Sequence, residues 1–196
     1  MKVNYKTGLI LLAILFSHSV YIQAQEFSDN SMKLGLGIGA SMGSATDGGG
    51  FVYSLGYQKG VWNDRLRINP NFSIGHFSSR FVMDARDQYF NSINLETNLY
   101  LDVIRIKSFS LVFACGGLVN NSRGLIGTGG YPDGSTEPQT SEYFSNFHVG
   151  GYLGGGFRIN SPDKRTALNI MPVNIHFGNN YFTEFYAKIE WDIKFE

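Results

Sequence analysis

Residues 31–43 read Ser31-Met32-Lys33-Leu34-Gly35-Leu36-Gly37-Ile38-Gly39-Ala40-Ser41-Met42-Gly43. Leu34, Leu36, Ile38, Ala40 and Met42 alternate with Lys33, Gly35, Gly37, Gly39 and Ser41. Successive side chains of a strand point to opposite faces, so this stretch predicts a strand with one greasy face and one of very small residues carrying a charge. The same period of two recurs at 51–62, 66–77, 92–106, 109–119, 144–159, 167–177 and 182–195. In the seventh segment Leu168 and Ile170 share one parity while Val173, Ile175 and Phe177 share the other. Pro172 lies between them and cannot donate to a ladder, so a β-bulge at Met171-Pro172 is expected.

Outward from these segments, the chain opens with Lys2 and Lys6, an apolar run over 8–16, and a small residue, Ala24, before Gln25. That order predicts a signal peptide over 1–24 and one mature domain over 25–196. The apolar run is far shorter than the ~20 residues a spanning helix needs, and no later stretch approaches that length, so helical spans are excluded. Cys115 is the only cysteine, which rules out an intrachain disulfide. The 16 Lys and Arg balance the 16 Asp and Glu, leaving no long-range field to recruit nucleic acid.

Eight alternating strands suit two opposite barrels. A soluble lipocalin points its apolar face inward around a ligand; a membrane barrel points it outward. Here the polar face is built largely of Gly, Ser and Asn, sizes that suit a narrow interior rather than a wetted surface. Charged residues are only 16% of the chain and aromatics 15%, which points the same way because a soluble domain carries nearer ~25% charge. The reading is therefore all-β: an eight-stranded antiparallel up-and-down transmembrane β-barrel, with Tyr57, Trp62, Trp191 and Phe195 as interface anchors. Gly60-Val61-Trp62 matches the Gly-x-Trp of lipocalins but falls in the turn after the second strand, not at the start of the first.

On this pattern of leader, eight strands and a closing strand bearing Trp191, Ile193 and Phe195, the chain resembles the OmpA-type transmembrane barrels of Gram-negative bacteria. The resemblance covers 25–196 and implies an outer-membrane location after signal-peptide cleavage, lipid as the surrounding partner, and a monomer. It also implies a structural or adhesive role, in which outer loops over 78–91 and 120–143 meet an extracellular or envelope protein through Tyr131, Pro132 and their neighbours.

Parity directs Lys33, Arg67, Glu96, Asp102, Arg158, Lys188, Glu190, Asp192 and Lys194 into the bore or its mouth. An eight-stranded bore is only wide enough for side chains, so these charges are expected to pair into a structural plug that fixes register. A narrow porin-like passage through them is the first alternative. The second is an outer-membrane lipid hydrolase. His76 and Ser78 share the lipid face, and their spacing is similar to the His-x-Ser of lipid A deacylases. The Asn that follows the Ser in that family is Ser79 here, and no acidic residue is placed to orient His76, so the chain reads as a non-enzyme with no catalytic residue assigned. Gly35-x-Gly37-x-x-Ala40 fits a dinucleotide fingerprint only in spelling, because its glycines are the inward positions of a strand. His148 has no second ligand at zinc spacing, and Asp84-x-x-Asp87 lacks the rest of a calcium loop, so neither metal nor cofactor is expected.

Overall fold

A computed structural model of the protein describes residues 30–43, 47–62, 65–78, 89–127, 140–162 and 165–195. The signal peptide expected over 1–24, together with Asp84, Asp87, Tyr131 and Pro132, lies outside the described residues. Eight strands follow one another: β1 Asn30–Met42, β2 Gly48–Trp62, β3 Leu66–Ser78, β4 Tyr89–Ile106, β5 Phe109–Gly127, β6 Ser141–Asn160, β7 Thr166–Gly178 and β8 Thr183–Lys194. Each pairs antiparallel with its sequence neighbour, and β8 pairs with β1 to close the barrel. Both ends of the described chain meet at one rim, the near end, where the Phe195 amide donates to the Asn30 carbonyl (3.1 Å).

Following cross-strand partners once round the wall gives Asn30, Lys59, Ile68, Leu99, Cys115, Leu153, Ile175, Phe185 and then Ala40. The circuit returns to β1 ten positions along, at residue 40 rather than 30. With ~3.3 Å per residue and ~4.8 Å between strands, that stagger tilts the strands by about 40°.

The alternation decides what faces where. Leu36, Leu95 and Ile189 are 56%, 58% and 55% exposed on the outer surface, whereas Arg67, Arg158 and Glu190 are fully buried inside. This is an inside-out barrel, and its apolar exterior requires lipid rather than water around it. Tyr57, Trp62, Trp191 and Phe195 all face outward on the half nearer the termini.

Three irregularities interrupt the period. Met171 and Asn174 both point inward while Pro172 and Val173 both point outward, with the register shifting against β8 between Met171 and Asn174; this is the bulge expected at Met171-Pro172. The amide nitrogen of Asn174 donates to the carbonyls of Met171 (2.7 Å) and Tyr186 (2.9 Å), supplying the bonds the bulged backbone loses. A second bulge between Asp102 and Ile104 turns Val103 and Ile104 outward together and brings Arg105 inside. A third shifts β2 against β3 between Gly60 and Trp62. Pro70 sits in mid-strand facing out, and the neighbouring Asn69 amide donates to the Tyr57 carbonyl (2.9 Å) opposite it, replacing the donor Pro70 lacks.

The expected loop boundaries need correction. β5 runs on to Gly127 and β6 begins at Ser141, so much of the stretch 120–143 read as loop is paired strand, from Asn120 with His148 to Gly127 with Ser141. Likewise Ser78 and residues 89–91 belong to β3 and β4 rather than to a loop over 78–91. These strand ends read as loop because polar residues, Asn91, Asn121, Arg123 and Ser145, interrupt the outward apolar row: above the lipid belt the wall faces water, and apolar alternation is no longer required. β6 reaches nine residues past its last partner on β7, Gly150, so the β5–β6 ribbon overhangs β7 by ~30 Å of extended chain, while on its other side β4 stays paired with β5 as far as Leu125.

Candidate functional site: the charged bore and its rims

Room for the bore's long side chains comes from β1. Gly35, Gly37 and Gly39 face inward opposite Glu190, Lys188 and Tyr186 of β8. A Cβ at Gly37 would stand 2.7 Å from the Ala187 carbonyl oxygen and 3.1 Å from the Lys188 Cβ, and one at Gly39 would collide with Tyr186. The glycines therefore leave the seam free for a column of β8 side chains.

That column anchors three clusters. Toward the near end, Asp102 accepts from Arg67 (2.6 Å) and from Arg105 (2.7 Å), the residue the β4 bulge brings in. Asp192 lies 3.5 Å from the Arg158 guanidinium and accepts from Gln58 (3.3 Å). In the middle, Glu190 takes Lys188 at 2.7 Å and Lys33 at 3.1 Å, and the Tyr100 hydroxyl donates to it at 3.2 Å. Lys33 also sits 3.7 Å above the Tyr100 ring. Further up, His176 stands between two carboxylates, its Nδ1 2.8 Å from Glu184 and its Nε2 3.4 Å from Glu96, with the Tyr186 hydroxyl 2.8 Å from Nε2. Ser73 and Asn98 donate to Glu96 at 2.8 Å and 2.7 Å. Among the described residues, five buried cations (Lys33, Arg67, Arg105, Arg158, Lys188) face five buried carboxylates (Glu96, Asp102, Glu184, Glu190, Asp192).

Aromatic groups crowd the bore beyond these clusters. Val52, Phe77, Phe90 and Tyr186 pack together with Phe144 at their edge, and Phe77 stacks on Phe90 with ring centroids 5.3 Å apart. Phe182 stacks on His148 at 4.7 Å, under the tight β7–β8 turn. That turn has positive φ at both Asn180 and Tyr181, with the Phe182 amide donating to the Asn179 carbonyl (3.2 Å). This is the geometry that matches strand twist in a two-residue hairpin.

Of the residues singled out from sequence, Arg67, Glu96, Asp102, Arg158, Lys188, Glu190 and Asp192 are all buried inside the barrel, and each lies in one of these contacts or beside one. Glu184, Arg105 and His176 were missed. Glu184 shares parity with Lys188 and Glu190, so the signal was present; Arg105 and His176 enter only because bulges reset the parity of β4 and β7. Val112 and Leu118, large apolar residues on the inward parity of β5, join Tyr100, Tyr152, Met171 and Phe182 in a small core inside the bore. His148 is buried, its Nδ1 3.1 Å from the Asn179 carbonyl. His76 faces outward, 2.8 Å from Asn91. Among the described residues no three His, Cys, Asp or Glu side chains converge as metal ligands would.

No protein-family model and no curated protein sequence matches the chain. Its fold, however, is that of solved membrane barrels. The crystal structure of Neisserial surface protein A (NspA) is similar over 87% of this chain and 100% of its own, with TM-score 0.56 and 12% identity. That of Ail, the attachment invasion locus protein of Yersinia pestis, matches over 87% and 100% with TM-score 0.52 and 10% identity. Ail in complex with the heparin analogue sucrose octasulfate matches over the same shares, with TM-score 0.50 and 11% identity. The chain thus has the fold of the small eight-stranded outer-membrane barrels.

Proposed function

We propose that this chain is a monomeric outer-membrane protein whose bore is plugged and whose work is done at the far rim. The observation that carries the reading is the balanced set of buried charges, drawn together in ion pairs within β8 and between neighbouring strands and overlaid by aromatic residues. Moving an ion through the bore would mean breaking ion pairs in a low-dielectric interior, at a cost of several kcal/mol for each charge exposed (~3–5). With conduction disfavoured, the far rim is the part of the molecule built to be met. The sequence that joins β5 to β6 contains Tyr131 and Pro132, aromatic and turn-forming residues suited to a protein partner. The near-end connections are all short, and the two long ones, over 79–88 and 128–140, are both at the far end, which favours a periplasmic near rim and an exterior far rim. Ail is known in complex with a sulfated sugar, but residues 128–139 of this chain carry Asp133 and Glu137 and no Lys or Arg, which favours a protein over a polyanion.

Planar-bilayer recording tests the plug: no steady openings are expected, and openings removed by altering Glu96 or Arg158 would overturn it. For the rim, pull-down by cell-surface proteins should be lost when 128–139 is replaced by a short Gly-Ser turn. Saturable binding of sucrose octasulfate would instead point to a polyanion.

A further inference from the structure

The outer wall carries an open apolar groove of about 870 Å³. Its floor is a row of outward residues set side by side by the register: Met32, Tyr57, Pro70, Thr97 and Gly117, on β1 to β5 in turn. The row above it holds Leu55, Phe72, Leu95 and Val119, and the row below holds Ile68 and Leu99. On β3 and β4 the floor is therefore small where the residues on both sides are large. On β5 Gly117 leaves open space, since a Cβ there would meet nothing within 4 Å. Phe195 lines the other end, beside Met32 and Tyr57.

The stagger of the barrel gives this groove a slope. One circuit along such a row ends ten residues further toward the far rim, so each row climbs from β1 round to β8 at about 40° to the membrane plane. The groove therefore opens beside the near rim, at Met32 and Tyr57, and rises deeper into the lipid belt toward Gly117. Three strand spacings separate Tyr57 from Gly117, or ~14 Å. One leaflet's acyl chain fills half the hydrocarbon core, ~15 Å.

The mouth carries the charge that an anionic headgroup needs. Lys59 follows Tyr57 by two residues on the same outward face, ~6.6 Å nearer the rim, and is exposed, with no ion pair among the described residues. Its cross-strand partner is Ile68, so its methylenes have an apolar surface to lie on while the ammonium stays at headgroup level. The Tyr57 hydroxyl donates to the Asn30 side chain (2.6 Å), which fixes the ring at the mouth with its polar end toward the rim. Among the described residues every exposed charged side chain at the near end is a cation: Lys59, Lys107 and Arg165.

We propose that the groove is a binding site for one anionic glycerophospholipid, an acyl chain lying along Pro70, Thr97 and Gly117 and the phosphate meeting Lys59 at the near rim. A second copy in the same membrane would bring its own Lys59, Lys107 and Arg165 to the same depth, like charge against like, whereas a phosphate there is complementary. The site goes beyond the rim function above. Its choice of a glycerophospholipid over lipid A, a lipid of the exterior leaflet, rests on the periplasmic placement of the near rim in that reading.

The test uses the full chain inserted in vesicles of phosphatidylglycerol and phosphatidylcholine with the same acyl chains, folding of every variant being confirmed by a mobility shift on boiling. After extraction in mild detergent, native mass spectrometry should find one phosphatidylglycerol retained per barrel and at least tenfold less phosphatidylcholine. Phosphatidylglycerol with a photoreactive group at mid-chain should label the peptide bearing Thr97 or that bearing Gly117. Gly117→Leu fills the floor without a clash and should cut retention and labelling at least tenfold. Gly155→Leu, at another outward glycine where a Cβ is unobstructed, should leave both unchanged. Lys59→Gln should abolish the preference for phosphatidylglycerol while mid-chain labelling persists. Equal retention by the parent and Gly117→Leu, or of the two lipids by the parent, overturns the site and leaves the plugged barrel and its rim standing. Displacement of phosphatidylglycerol by added lipid A overturns the choice of lipid and, with it, the periplasmic placement of the near rim. A dimer that forms in lipid-free detergent and is broken by Gly117→Leu assigns the groove to a second copy and overturns the lipid site.

Discussion

Replacing Glu190 with Ala tests the physics of the bore most directly. Glu190 is fully buried and holds Lys188 at 2.7 Å, Lys33 at 3.1 Å and the Tyr100 hydroxyl at 3.2 Å. Without it, Lys33 keeps only Asp192 at 3.9 Å and the face of Tyr100 at 3.7 Å. Among the described residues Lys188 keeps the rings of Tyr152 and Tyr186, at 5.2 Å and 5.7 Å, and the more distant charge of Glu96. Removing one partner of a buried ion pair costs ~3–5 kcal/mol, because the remaining charge stays desolvated. With a urea dependence of about 2 kcal/mol per molar, the unfolding midpoint should fall by roughly 1.5–2.5 M. Trp62 and Trp191 both face lipid and report the transition by fluorescence in vesicles. Glu190→Leu combined with Lys188→Met removes the desolvated Lys188 charge but leaves Lys33 with Asp192 alone, so it should recover about half of the loss. A Glu190→Ala midpoint within ~0.3 M of the parent, or a double variant less stable than the single one, would show that the bore behaves as a wet, high-dielectric space and refute the argument.

Two further substitutions probe the wall. Asn69→Ala removes the donor that stands in for Pro70 at the Tyr57 carbonyl and should cost about 1 kcal/mol, and Pro70→Ala in the same background should restore it; a urea midpoint series measures both. Leu95→Arg places a charge on the outer face within the lipid belt, where the cost is about 2–4 kcal/mol, so it should lower both the urea midpoint and the amount of heat-modifiable protein in membranes. An Arg tolerated there without effect would mean that this face is not in lipid.

Which face of each strand meets lipid was legible in the sequence because it is a local property. Residues two apart share a face, so Leu34, Leu36 and Ile38 against Gly35, Gly37 and Gly39 are enough to orient β1, and a proline out of step is enough to place the bulge in β7. The inward charges of unbroken strands followed from the same rule. What the sequence could not supply is register and closure, which depend on every strand at once. Lys33 meets Glu190 across 157 residues of chain because β8 closes onto β1 with a stagger of ten. No proline or glycine announces the β4 bulge that turns Arg105 inward, and the polar ends of β5 and β6 read as loop because alternation lapses once the wall leaves lipid. His76 and Ser78 were visible as a pair, but their neighbour Asn91 lies on another strand, and only the register between β3 and β4 brings its amide to the imidazole.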